Sequence, residues 1–173
     1  MLLLVHLTRL KRTREKMEPQ EIQVNQFEMK KAKIPHVLYS GGLGPCIAIG
    51  VYAPNKRIGY MIHQPHFSHG VNSKNSLLDF IKKIREECMD LSGLKVFATG
   101  GSLDVLMNQE DNKNLLEDRK FVTKELRKHF KESSLKIIWG EIDCATELFL
   151  DTSTGKFKVV TSYELGEDIS EDF

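Results

Sequence analysis

Apolar residues recur along this chain with two periods. Ile47-Ala-Ile-Gly-Val-Tyr52 is an unbroken apolar, β-branched run, and Arg57-Ile-Gly-Tyr-Met-Ile62 is a second. Between them Ala53-Pro-Asn-Lys56 is turn chemistry, so the three segments predict a β-hairpin. Leu94 to Thr99 reads as a short strand ended by Gly100-Gly101. Lys136–Trp139, Thr146–Leu150 and Lys156–Thr161 read as strands too, the last two joined by the tight loop Asp151-Thr-Ser-Thr-Gly155. Helical spacing shows in Leu77, Ile81, Ile84, Cys88 and Leu91, with Lys82, Lys83, Arg85, Glu86 and Glu87 largely opposite and Ser76 and Asp79 as a capping box. A second helix is expected from about Glu117 to Phe130, with Phe121, Val122, Leu126 and Phe130 inward. Hairpins mixed with helices predict an α+β fold, a layered sandwich of mixed or antiparallel β-sheet with flanking helices.

The hairpin brings two reactive residues together. With a loop over Ala53–Lys56, Tyr52 faces Arg57, and the same register carried outward sets Cys46 directly opposite His63 on one face of the sheet. Directly opposed residues have Cβ atoms roughly 4.5–5.5 Å apart, close enough for a thiol and an imidazole to meet. A cysteine nucleophile needs such a base to take its proton. The glycines Gly41, Gly42 and Gly44 precede Cys46 in Ser40-Gly-Gly-Leu-Gly-Pro-Cys46 and let backbone approach a substrate amide closely. No Gly-Lys-Ser/Thr ending follows them, so they are not a phosphate cradle. Gly100-Gly101 is either a plain turn or the floor of the same pocket. Cys88 lies on the apolar helical stripe as core filler, and Cys144 has no local base. His63, His66 and His69 share a three-residue spacing, but Pro65 argues against a helix there, and no metal is expected.

Composition removes several classes of function. The formal net charge is +1, with both signs interspersed, which gives no argument for nucleic acid. No apolar stretch approaches the ~20 residues of a membrane helix. Three widely spaced cysteines form no zinc pattern and cannot all pair, which suits a reducing cytoplasm. Met1-Leu-Leu-Leu-Val5 is too short for a signal h-region, and its basic residues follow it rather than precede it. Residues 1–16 are expected to be a flexible extension or an overlong start before Met17. The domain plan is an extension over 1–30, a catalytic domain over 31–163 and an acidic tail over 164–173 with too little apolar content to dock firmly.

The run Ser40 to Cys46, with a histidine seventeen positions further on, resembles the CheD family of chemoreceptor glutamine deamidases. That family carries Thr-x-Gly-Leu-Gly-Ser-Cys, a strand, a turn and a strand ending in His. Asn72–Leu91 is similar to its following helix, and Lys95-Val-Phe-Ala-Thr-Gly-Gly101 to its Lys-x-Phe-Gly-Gly segment. Glu117-Asp-Arg-Lys-Phe121 and Leu150-Asp-Thr-Ser-Thr-Gly-Lys-Phe157 resemble its Gly-Glu-Arg-Asn opening and its terminal hairpin. The likeness spans roughly residues 30–162 and marks a divergent member. Ser40 stands where the family has the threonine that assists the histidine, and Pro45 replaces a small polar residue and removes an N–H.

The resemblance implies a cysteine amidohydrolase converting glutamine side chains of a protein to glutamate. Its catalytic residues would be Cys46, His63 and Ser40, and Gly42, Gly44, Gly100 and Gly101 would lie at the substrate and oxyanion. No cofactor is implied. Implied partners are a glutamine-bearing protein, such as chemoreceptor helices, and a signalling phosphatase. Two other classes remain open: a cysteine peptidase or transglutaminase using the same pair, and a non-catalytic regulatory binding module.

Overall fold

Ile47–Ala53 is buried at every position because both of its faces are covered. Odd-numbered Ile47, Ile49 and Val51 join one core cluster, while even-numbered Ala48 and Tyr52 join another, so this strand sits between two layers. The computed structural model describes residues 18–66, 73–163 and 168–173, and its strands form two mixed five-stranded sheets. In chain order the elements are β1 (Glu21–Gln23), β2 (Met29–Lys33), β3 (Val37–Leu43), β4 (Ile47–Ala53), β5 (Ile58–Gln64) and α1 (Ser73–Cys88). They continue as β6 (Lys95–Gly100), α2 (Gln109–His129), β7 (Leu135–Trp139), β8 (Cys144–Asp151), β9 (Lys156–Tyr163) and β10 (Ile169–Asp172).

One sheet has the order β1-β3-β8-β9-β10 and the other β2-β5-β4-β6-β7. Between them lies an inter-sheet core of Leu38, Leu43, Ala48, Met61, Phe97, Leu148, Leu150 and Phe157. Both helices cover the far side of the second sheet: Leu77, Phe80, Ile81 and Ile84 of α1 and Val122 and Leu126 of α2 pack with Ile49, Val51 and Ile62. The layers therefore run sheet, sheet, helices, which is the α+β sandwich expected from the alternation of hairpins and helices.

Several boundaries differ from expectation, each for a local reason. The β4–β5 loop is Pro54–Arg57, not Ala53–Lys56, because Ala53 still pairs with Ile58 and Arg57 adopts φ +52°. α1 begins at Ser73, so Ser76 lies inside the helix rather than capping it. α2 begins eight residues early, at Gln109, where the Asn108 side chain accepts from the Asp111 N–H at 2.8 Å. Residues 21–30 are not extension: β1 pairs with β3, β2 begins at Met29, and Val24 is 1 % exposed. Within the acidic tail, residues 169–173 dock. β10 pairs with β9, and the Phe173 ring packs against Phe97 while its backbone exchanges hydrogen bonds with Phe157. The expectation for residues 1–16 lies outside the described residues.

Candidate active site

The turn that carries Cys46 is held from behind. β3 ends in a register shift between Ser40 and Leu43, with Gly42 at φ +67°, and the chain passes through Gly44-Pro45 into β4. The Gly101 N–H donates to the Cys46 carbonyl at 2.7 Å and the Ser102 N–H to the Gly44 carbonyl at 2.7 Å. A Cβ on Gly100, at φ +91°, would sit 2.2 Å from the Cys46 carbonyl oxygen, so only glycine fits this approach. Arg119 of α2 locks the same segment by donating to the Gly101 and Gly140 carbonyls. Gly100-Gly101 thus buttresses the turn that carries Cys46. The Gly101 N–H is already bonded, and the Gly44 N–H donates to the Gly42 carbonyl at 3.1 Å, so neither is free for an oxyanion. The Cys46 N–H has no acceptor among the described residues.

His63 lies opposite Ala48 rather than Cys46, because the shifted loop moves the register by two residues. A two-residue shift preserves the face. Cys46 accordingly packs against the inter-sheet core with Ala48, and His63 is a diagonal neighbour instead of a directly opposed one. Diagonal neighbours are typically about 7–8 Å apart.

Hydrogen bonding fixes the histidine's tautomer. Ser40 Oγ lies 3.0 Å from His63 Nδ1, and the Val24 carbonyl lies 3.2 Å from Ser40 Oγ and 3.4 Å from Nδ1. A carbonyl only accepts, so Ser40 donates to Val24 and Nδ1 carries the ring proton. Nε2 keeps its lone pair, is buried and has no hydrogen-bond partner among the described residues. Burial also pushes the His63 pKa below its ordinary value, against the Val24 contact that raises it. This imidazole is a neutral base.

Cys46 is half-buried, and its sulfur accepts from Gln26 Nε2 at 3.4 Å and from the backbone N–H of His66. Burial pushes the thiol up, and the two donors only partly offset it. The resting pair is therefore neutral thiol and neutral imidazole, not the thiolate–imidazolium pair expected when an adjacent charge lowers a thiol's pKa. Cys46 and His63 are not hydrogen-bonded to each other. Catalytic hydrogen bonds are often long before substrate arrives. Such a pair, with a free backbone N–H beside it, can carry out acyl transfer.

Three contributors escaped the sequence reading. Val24 and Gln26 lie in the segment assigned to an extension. His66 is 1 % exposed and its Nδ1 is 2.8 Å from Asp118 Oδ2 of α2, a buried pair that fixes the residue donating to Cys46. Cys88 sits beside the Tyr60 hydroxyl at 3.7 Å, and Cys144 is buried against Ser102 Oγ at 3.3 Å. Among the described residues no cluster of His, Cys, Asp or Glu is arranged to hold a metal ion, and His69 lies outside them. A cleft of about 480 Å³ abuts the turn at Gly44 and Pro45, bounded further by Ser102, Leu106, Cys144 and Tyr163. Neither Cys46 nor His63 lines it.

No family model matches the chain. It is 26 % identical over 156 residues to a probable chemoreceptor glutamine deamidase CheD of Clostridium tetani, covering 84 % of this chain and 93 % of that one. Its likeness to the protein of the same description from Clostridium kluyveri is also 26 % over 156 residues, covering 84 % and 95 %. Among solved structures, the C-terminal domain of CNFy from Yersinia pseudotuberculosis matches at TM-score 0.43 and 9 % identity, covering 88 % of this chain and 62 % of that one. The Bacillus licheniformis hypothetical protein YfiH matches at TM-score 0.41 and 12 % identity, covering 64 % and 50 %. The sequence matches indicate a distant relation between this chain and CheD proteins.

Proposed function

We propose that this chain is a protein-glutamine deamidase that works through Cys46 and His63 in a reducing cytoplasm, with a chemoreceptor-like helix among the candidate substrates. The observation that carries the reading is the His63 ring: Nδ1 is tied to Ser40 and Val24, while a buried, unpartnered Nε2 shares a face with the Cys46 thiol. In the proposed cycle Nε2 takes the thiol proton and the sulfur attacks the glutamine δ-carbonyl carbon. A C–S bond forms as the carbonyl π pair moves to oxygen. Collapse of that oxyanion breaks the C–N bond, and imidazolium protonates the nitrogen, which leaves as ammonia. Water, deprotonated by His63, then cleaves the thioester to glutamate and returns the thiol. These steps draw on no metal or organic cofactor. The exposed side chains of Val105 and Leu106 beside the cleft suit contact with a protein segment rather than a free amino acid.

Glutamine-bearing peptides and receptor fragments incubated with the protein and mapped by mass spectrometry test this. Conversion of glutamine to glutamate, absent with Cys46→Ala, is the expected result. Backbone cleavage would indicate a peptidase and amine incorporation a transglutaminase. No modification, together with no preferential labelling of Cys46 by thiol probes, would favour a regulatory binding module.

A further inference from the structure

The turn leading into Cys46 is short of oxyanion donors. Pro45 has no N–H, and the N–H groups of Gly44, Gly101 and Ser102 all bond backbone carbonyls. That leaves the Cys46 N–H alone, whereas acyl-transfer sites present paired donors to the developing charge. A second donor reaches the reacting atom from across the molecule. Gln26 Nε2 lies 3.4 Å from Cys46 Sγ, and the rest of the Gln26 amide has no partner among the described residues.

Gln26 is held there by a strained turn. Asn25-Gln-Phe-Glu28 closes with the Glu28 N–H donating to the Asn25 carbonyl at 2.9 Å, while the Asn25 N–H donates to Glu28 Oε2 at 2.9 Å. Phe27 sits at φ +68°, a conformation that favours glycine and persists only where its surroundings enforce it. Here the enforcement comes from His63: the Phe27 N–H donates to the His63 carbonyl at 2.9 Å, and the His63 N–H to the Glu28 carbonyl at 3.1 Å. The residue before this turn, Val24, accepts from Ser40 beside the His63 ring. The five-residue stretch Val24–Glu28 therefore anchors the base and presents a carboxamide to the nucleophile.

We infer that Gln26 is a catalytic residue whose side-chain N–H, together with the Cys46 N–H, forms the oxyanion hole of this site in place of the donor that Pro45 lacks. This rests on the acyl-transfer reading above. When the Cys46 sulfur bonds to the substrate carbonyl carbon, the pair displaced onto oxygen accepts from Gln26 Nε2. The same donor is released as the thioester carbonyl re-forms. Its exposed position leaves the amide accessible to an incoming acyl group.

The test separates acylation from alkylation. An N-acylated glutamate γ-(p-nitrophenyl) ester acylates Cys46 through an oxyanion and releases p-nitrophenol, whereas iodoacetamide alkylates the thiolate without one. Both rates are measured as full pH profiles on wild type, Gln26→Ala and Gln26→Met, so that a change in thiol ionisation is seen as a shift of midpoint and not of plateau. The inference predicts that the acylation plateau falls about 100-fold or more in both variants while the alkylation plateau is unchanged. Equal losses in both plateaus, or no loss in either, would overturn it. If wild type acylates normally and the variants match it, only the role of Gln26 fails. If wild type shows no acylation, the acyl-transfer reading fails with it. Conversion of Gln26 itself to glutamate in wild type but not in Cys46→Ala would make this side chain a bound substrate mimic, and would also overturn the inference.

Discussion

His63 and Cys46 are both displaced by burial toward their uncharged forms, in opposite pKa directions. Turnover should therefore show an acid limb below about 6.5, the ordinary imidazole value, because the base must be neutral to accept the thiol proton. Alkylation of Cys46 should have its midpoint above the ordinary thiol range. His63→Ala should abolish turnover while leaving that midpoint largely in place, since the resting imidazole carries no charge. A midpoint well below the ordinary range, rising on His63→Ala, would show an ion pair instead. Stability follows the same sign. Below about 6.5 an unfolded imidazole binds a proton that the buried ring resists, so His63 lowers stability as pH falls toward its depressed folded value. Urea midpoints of wild type and His63→Gln, compared at neutral and mildly acid pH, should converge as the pH is lowered.

The buried His66–Asp118 pair makes a separate residue-scale prediction. Asp118→Ala removes the carboxylate that is hydrogen-bonded to the buried His66 ring and should cost on the order of 1–3 kcal/mol in denaturant unfolding. It should also raise the Cys46 alkylation midpoint, because His66 would no longer hold its N–H on the sulfur. The hairpin pattern placed Cys46 and His63 on one face, and the family resemblance of the Ser40-to-Cys46 run pointed to Ser40, which lies 3.0 Å from the His63 ring. Gln26 and Asp118 were not legible in the sequence. They meet their partners across 20 and 52 residues, through sheet pairing and helix packing that no local pattern encodes.

At the level of elements, the β4–β5 hairpin was readable from its apolar runs, but its register was not. Arg57 enters the turn at positive φ, and nothing in Asn-Lys-Arg announces that. β3 was missed because Ser40-Gly-Gly reads as loop chemistry, although Val37 to Leu43 pairs with β8 through a bulge. The start of α2 did carry a signal, Asn108 followed three residues later by Asp111. Asn108→Ala should cost about 1 kcal/mol of stability, measured by thermal or urea unfolding. Gly100→Ala is the harsher change in an element joint. Its Cβ would press on the Cys46 carbonyl at a positive φ, so turnover should collapse along with a stability loss of roughly 1–3 kcal/mol. Unaltered activity in Gly100→Ala would show that the buttress behind Cys46 is dispensable.

Across the whole molecule, the site lies at one end of the inter-sheet layer, where the two sheets contribute unlike parts. The sheet containing β3 supplies Ser40, the helix-covered sheet supplies His63, the turn from β3 into β4 supplies Cys46, and the connection from β1 to β2 supplies Val24 and Gln26. Alternating hairpins and helices made the layered class legible. The division of strands between two sheets was not, because it depends on which strands pair at long range. The proposed reaction turns on acylation of Cys46 by a glutamine side chain with His63 as its base. Rapid-quench mass spectrometry of the intact chain during turnover of a glutamine peptide tests it most directly. The expected result is a γ-glutamyl adduct on Cys46 that forms and decays with ammonia release in wild type and is absent in His63→Ala. Turnover that persists in Cys46→Ala, or an adduct on Cys88 or Cys144 in its place, would contradict it.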